Sequence, residues 1–345
     1  MDFPQVLILD GDDEDAAAGE LARQLDVWGV QDPFVLASKH GHRLAAGLEG
    51  PSAPESVAGG ADQQWAIELG SRARRAGADA VVAVGGGRCL DIAKLAAARA
   101  GLPSIVVPTQ LSHDGICSPV AVVPDVTGRP ESVGAIAPRG VFISMATLAI
   151  APAAALRAGI GDLLANPLAL RDWALAARHG LEETDQRAWD LSVKSYRAIE
   201  PDLDKTPGEL AADRAFLRRL ADALVLSGLA MICSGTSRPA SGGEHEISHA
   251  IDELYGGRAM HGEQVAFGCI VSVALYGEDT GAFRKRLTGL GLPEHPRALG
   301  FTEDDMVRLL LHAPETRPGR FTVIEDANLD EDGARSLVNG IWGEK

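Results

Sequence analysis

The sequence predicts an α/β N-terminal domain built on a parallel sheet, followed by an all-α C-terminal domain. Three observations predict it. Short, continuously apolar runs alternate with helical stretches over the first 150 residues. Beyond that point helical spacing takes over almost completely. The length, 345 residues, suits two domains of roughly 150 residues each.

The runs VLILD (6–10), PFVLAS (33–38), AVVAVGG (80–86), SIVVPT (104–109), VAVVP (120–124) and GVFISM (140–145) read as strands. Helical stretches such as AAAGELARQLDVWG and DQQWAIELGSRARRAG lie between them, so the sheet is expected to be mostly parallel and covered on both faces. GPSAPESVAGGADQQ (50–64) reads as a surface loop leading into a helix. The boundary falls near APRG or Pro152, giving segments 1–150 and 151–345. Helical spacing then recurs through 153–180, 186–200, 209–233, 244–254, 262–276, 281–292 and 302–312, and RFTVIED (320–326) reads as strand-like. Neither an internal repeat nor a low-complexity tract stands out.

There are 32 basic and 48 acidic residues, a net charge of −16. That balance argues against a nucleic-acid or anionic-membrane partner, either of which wants a basic face. An acidic protein that binds phosphate must use backbone N–H groups or a few placed cations. Four scattered cysteines without a CxxC pair disfavour a zinc ribbon or disulfide framework. The first twenty residues turn acidic at once and do not read as a signal peptide. The most apolar stretches, 220–233 and 141–156, carry Asp222 and Pro152 and fall short of a span of about 18–20 clean apolar residues. The expectation is a soluble, cytoplasmic protein.

Two loops carry the nucleotide signal. GGGRCLDIAK (85–94) follows a strand and opens a helix, a geometry suited to a pyrophosphate, although such a turn is equally an ordinary structural device. PTQLSHDGICSP (108–119) follows the next strand and packs Thr109, Gln110, Ser112, His113, Asp114 and Ser118 into one loop. It would line the same carboxyl edge of the sheet, where ligands bind in open α/β folds. Turn formation and helix capping are the alternative reading.

A third constellation points to a metal. GEHEISHAID (243–252) sets His245 and His249 one helical turn apart, and HGEQVAFG (261–268) puts His261 at the start of the next helix, after Gly256 and Gly257. Antiparallel helices joined by such a turn can bring His245 and His261 together. AGIGDLLAN (158–166) offers Asp162, a lone charge in an apolar stretch, either a ligand or a helix cap. A single histidine on a helix is usually structural. Three within seventeen residues favour a metal.

These motifs, in this order, resemble the superfamily of iron-type alcohol dehydrogenases, glycerol dehydrogenases and dehydroquinate synthases over about residues 80–270. SHDGICSP, with SRPASG ahead of GEHEISHAID, is most similar to its glycerol-1-phosphate dehydrogenase branch. The resemblance implies a dehydroquinate synthase-like fold with a Rossmann-like N-terminal domain. It implies NAD or NADP bound at Gly86, Gly87, Arg88, Cys89, Leu90, Asp91, Thr109, Ser112 and Ser118. It further implies one divalent metal, zinc before iron or nickel, on Asp162, His245 and His261. Asp114 and Asp162 are then implied at the substrate, His249 as a proton relay, and a homo-oligomer as the assembly. The expected reaction interconverts dihydroxyacetone phosphate and sn-glycerol 1-phosphate. Rivals are a dehydrogenase of another polyol or sugar phosphate, a sugar-phosphate cyclase resembling dehydroquinate synthase, and a non-catalytic sensor. No residue after PFVLAS separates NAD from NADP, and Arg238 and His113 are both candidates for gripping a substrate phosphate.

Overall fold

The computed structural model describes residues 3–48, 50, 55–57 and 61–343. Its strands are β1 (Gln5–Leu9), β2 (Pro33–Ala37), β3 (Glu55–Ser56), β4 (Ala80–Gly85), β5 (Ser104–Pro108), β6 (Val120–Pro124), β7 (Pro130–Gly134) and β8 (Gly140–Ser144). Six form one sheet in the order β1-β8-β5-β4-β2-β3, each neighbouring pair parallel. β2, β4, β5 and β8 are buried along their whole length. That is why they read as unbroken apolar runs. Helices α1 (Glu14–Val27) and α2 (His42–Ala45) cover one face through Leu21, Leu25 and Leu44. Helices α3 (Gln63–Arg75) and α4 (Gly87–Ala100) cover the other. Residues 51–54 and 58–60 of the loop expected at 50–64 lie outside the described residues.

One expected sheet strand lies elsewhere. Among the described residues β6 pairs only with β7, antiparallel, in a separate hairpin. Its residues alternate between buried and half-buried, the signature of a strand with one face covered. The fully buried Lys94 of α4 anchors the hairpin by donating to the carbonyls of Gly115, at 2.8 Å, and Val120. Asp91, ion-paired with Lys94 at 2.9 Å, accepts the Val122 N–H.

Past Ser144 the described chain is helical: α5 (Met145–Ala149), α6 (Ala153–Leu163), α7 (Asn166–Arg178), α8 (Gln186–Ile199), α9 (Pro207–Ala212), α10 (Arg214–Ser234), α11 (Gly243–Tyr255) and α12 (His261–Leu275) come first. α13 (Thr280–Gly289), α14 (Glu303–His312), α15 (Val323–Ala327) and α16 (Glu331–Trp342) follow. The stretch 153–180 is two helices because Pro167 fits the first turn of a helix but not its interior. Asp213 divides 209–233, ending α9 and capping α10 through the Phe216 N–H. The strand expected at 320–326 is instead a cap and a short helix. Thr322 accepts the Ile324 N–H and Glu325 accepts the Thr322 N–H, a capping box that overrides the β-propensity of Phe-Thr-Val-Ile.

One apolar cluster runs from the α3–α4 face of the sheet through α6, α10, α11 and α12. The two halves of the chain therefore share a hydrophobic core, and the cleft between them has firm walls. The four cysteines are free thiols. Among the described residues no helix is long and apolar enough to cross a membrane.

Candidate functional site

The two polar loops leave the sheet side by side. Gly85 at the end of β4 is in register with Pro108 at the end of β5, and the Thr109 N–H donates to the Gly85 carbonyl at 2.9 Å. α4 opens at Gly86 without a side-chain cap. The Cys89 and Leu90 N–H groups both return to the Gly86 carbonyl, and their side chains are buried in the core, with the Cys89 thiol toward Leu36 and Val84. Any approach of Cys89 and Leu90 to a cofactor is therefore through their backbone, since their side chains face the core. The uncapped start of the helix leaves the Gly87 and Arg88 N–H groups to meet an anion. Asp91 reaches the cleft wall, but its carboxylate already holds Lys94 and Val122. Thr109, Ser112 and Ser118 are buried, and Ser118 lines the cleft.

The glycines of this turn also serve packing inside the protein. A Cβ on Gly87 would lie 2.4 Å from the His113 ring, and one on Gly86 would lie 3.0 Å from the Gln110 amide. His113 Nδ1 accepts the Gly115 N–H at 3.0 Å, and its ring meets His261 edge to face at 6.0 Å. His113 is thus a spacer between the glycine turn and the histidines.

Across the cleft, one ligand atom from each of Asp162, His245 and His261 lies within 4.8 Å of the other two. Asp162 Oδ1 is 3.8 Å from His245 Nε2 and 3.7 Å from His261 Nε2. Backbone contact between α6 and α12 sets this approach. A Cβ on Gly262 would fall 1.9 Å from the Ala158 carbonyl oxygen, and one on Gly161 would fall 2.3 Å from the Gly262 carbonyl oxygen. Only glycine permits that crossing, and the residues next to it are Asp162 and His261.

The electrostatics suit a cation. Burial holds the pKa of His245 and His261 well below the ordinary imidazole value, so both are neutral with a lone pair to offer. Glu244 Oε1 lies 3.0 Å from His245 Nδ1 and fixes the hydrogen there, which frees Nε2. Burial, then the neighbouring Asp114, raises the pKa of Asp162 well above the carboxylate range. A buried carboxylate facing two neutral imidazoles lacks a positive partner, and a divalent ion would supply one.

The remaining groups surround this centre. Asp114 donates its backbone N–H to Asp162 Oδ2 at 2.8 Å, its Oδ2 accepts the Ser227 hydroxyl at 2.8 Å, and the residue lines the cleft. His249 lies one turn beyond His245, and its Nε2 accepts a hydrogen bond from Arg317 at 3.3 Å. Arg238 is not a phosphate grip. Its guanidinium is 1% exposed, donates Nε to Glu182 at 2.7 Å and Nη1 to the Phe321 carbonyl at 2.8 Å, and braces the loop before α15. Sequence reasoning missed Glu244, Ser227 and Arg317. Glu244 had a signal, an acidic residue adjoining a candidate ligand. Arg317 sits in the irregular loop PETRPGR, where periodicity carries no information.

The iron-containing alcohol dehydrogenase family matches residues 35–152. The NAD(P)-dependent glycerol-1-phosphate dehydrogenase of Cenarchaeum symbiosum is 35% identical over 292 residues, covering 84% of this chain and 78% of that protein. That of Methanoculleus marisnigri is 40% identical over 266 residues, 76% of this chain and 72% of its own. The chain belongs to the glycerol-1-phosphate dehydrogenase family of iron-containing alcohol dehydrogenases. The fold agrees. A probable glycerol dehydrogenase from Sinorhizobium meliloti superposes with a TM-score of 0.81 at 22% identity, covering 98% of this chain and 96% of its own. A glycerol dehydrogenase from Schizosaccharomyces pombe gives 0.74 at 20% identity, covering 98% of this chain and 89% of that one. In this glycerol-1-phosphate dehydrogenase family member, the parallel sheet with a helical second half is the superfamily arrangement, and β6–β7 is a hairpin beside it.

Proposed function

We propose that this chain interconverts dihydroxyacetone phosphate and sn-glycerol 1-phosphate, using NAD or NADP and one divalent cation held by Asp162, His245 and His261. The observation that carries the reading is the meeting of those three ligand atoms, within 4.8 Å, at a cleft that His113, Asp114 and Ser118 of the loop after β5 also line. Zinc fits two neutral imidazoles and a carboxylate with a fourth position open, and iron or nickel are the alternatives.

Bound there, the cation supplies a Lewis acid for a carbonyl oxygen, and the reduced nicotinamide supplies hydride. The residues of the chain do the rest. Gly87 and Arg88 direct their N–H groups at the dinucleotide phosphates, with Thr109, Ser112 and Ser118 along the same edge. Asp114, fixed by Ser227, accepts a hydrogen bond from a substrate hydroxyl. His249 Nε2 accepts from Arg317, so its hydrogen sits on Nδ1. Reduction consumes one proton. His249 relays it, releasing the Nδ1 hydrogen and taking up another from water at Nε2 as the Arg317 bond there opens. A cytoplasmic homo-oligomer remains part of the same reading.

The test is the absorbance of reduced nicotinamide during incubation of zinc-loaded protein with dihydroxyacetone phosphate. We expect NADH or NADPH to be consumed mole for mole with ketone, giving the sn-1 product. No net consumption, with phosphate released from a sugar-phosphate substrate, would replace this reading with a cyclase.

A further inference from the structure

Two guanidiniums without a carboxylate partner converge at one end of the cleft. Arg317 follows a short 3-10 turn (Ala313–Thr316) and lines the cleft with Ser237, His249 and His261. It donates Nη1 to Ser237 Oγ at 3.0 Å and Nη2 to His249 Nε2 at 3.3 Å. Arg320, behind it, donates Nη2 to the same Ser237 Oγ at 3.0 Å and Nη1 to the Ser241 carbonyl at 2.7 Å. Among the described residues neither makes an ion pair, whereas Arg238 beside them is neutralised by Glu182.

The nearby acids form no ion pair with either arginine among the described residues. Glu246 is fully buried and accepts the Thr322 hydroxyl at 3.0 Å. Glu244 serves Gly242 and His245. Burial holds both arginines below their ordinary value, Arg320 at about 9, with Arg317 itself the next cause. Two desolvated like charges held together without an anion are costly, and an anionic ligand relieves that cost.

We propose that Arg317, backed by Arg320 and Ser237, grips the phosphate of the substrate and selects phosphorylated over free ketones. The inference rests on the reading above. Geometry suits a three-carbon substrate. Arg317 touches His249, one helical turn, about 5.4 Å, beyond the candidate ligand His245. His245, His249, His261 and Arg317 line one cleft, so a carbonyl at the ligand set and a phosphate at Arg317 can belong to one small substrate. The guanidinium fork presents paired donors to phosphate oxygens, and Ser237 turns its hydroxyl from acceptor to donor when the anion arrives.

The experiment compares initial rates of the zinc-loaded holoenzyme on dihydroxyacetone phosphate and dihydroxyacetone, with inorganic phosphate as inhibitor. For Arg317→Ala we expect the ratio of kcat/KM values, phosphorylated over free ketone, to fall on the order of 100-fold, and the phosphate Ki to rise at least about tenfold. Arg317→Lys should recover part of both. Ser237→Ala, a milder change, should lower the ratio several-fold and keeps the test available should Arg317→Ala not fold. If Arg317 served only His249, both ketones would slow equally, with ratio and Ki unchanged. That result overturns the proposal. Wild-type protein turning over the free ketone as well as its phosphate would instead overturn the substrate reading itself.

Discussion

The carboxylate of Asp162 accepts the backbone N–H of Asp114 at 2.8 Å. That bond joins the C-terminal end of α6 to the loop after β5, so the candidate metal centre and the nucleotide edge are held in one frame. His261 completes the contact on the opposite side of Asp162, at 3.7 Å. Substitutions on the histidine side leave the Asp162–Asp114 bond in place, so they separate metal binding from cofactor binding.

Replacing His261 by Ala removes one of three protein ligands. We expect bound zinc to fall to about a tenth of an equivalent or less and turnover to drop about 1,000-fold, with dinucleotide affinity within about threefold of wild type. Metal analysis together with fluorescence titration of NADH checks both. Full activity in rigorously metal-free protein would end the assignment.

Glu244 touches the ligand set only through His245 Nδ1. Glu244→Ala should weaken zinc affinity about 10- to 100-fold. Glu244→Gln, whose amide oxygen still accepts that hydrogen, should lose less. Competition with a chromogenic chelator measures the difference.

Gly262→Ala places a methyl group against the Ala158 carbonyl oxygen, and a backbone atom cannot rotate aside. The α6–α12 crossing must open, at a cost of about 1–3 kcal/mol. Asp162 and His261 should separate with it. We expect a Tm lower by several degrees and weakened zinc binding, read by thermal denaturation with and without metal. An unchanged zinc affinity would show that the crossing does not set the site.

Asp252 accepts from Gln264 at 2.9 Å, and its carboxyl is raised to about 6, mainly by burial. Protonated Asp252 is favoured more in the folded than in the unfolded chain, so its contribution is fully present below about pH 4. It is lost as pH rises through about 6. Asp252→Asn keeps an acceptor for Gln264 and cannot ionise. Stability should gain on the order of 1 kcal/mol at pH 7 and lose part of its slope between about pH 4 and 6. Urea unfolding across that window decides it.

Arg238→Met strips the brace between Glu182 and the Phe321 carbonyl. Breaking this largely buried pair should destabilise the fold by about 3 kcal/mol. The preference for phosphorylated ketone should survive, unlike in Arg317→Ala. A fall in that preference with stability unchanged would return Arg238 to the substrate.

Much of the architecture was legible because it is written in local patterns. The buried strands announce themselves as apolar runs, and α8, α11 and α12 as periodic stretches, since burial on both faces or along one stripe dictates composition directly. The same reasoning misplaced VAVVP and misread RFTVIED. An apolar run does not say which sheet it joins, and a capping box acts through side chains that propensity ignores.

What the sequence determined by itself is the inventory: three separated segments bearing Asp162, His245 and His261, and a glycine turn following a strand. Which of those side chains meet was decided by tertiary structure. Two glycines let α6 and α12 touch, Glu244 orients a neighbouring ring, and a loop arginine some seventy residues beyond His245 comes to face its helix. Such contacts depend on backbone approach across the core, and no periodicity along a single chain encodes a distance between two parts of it.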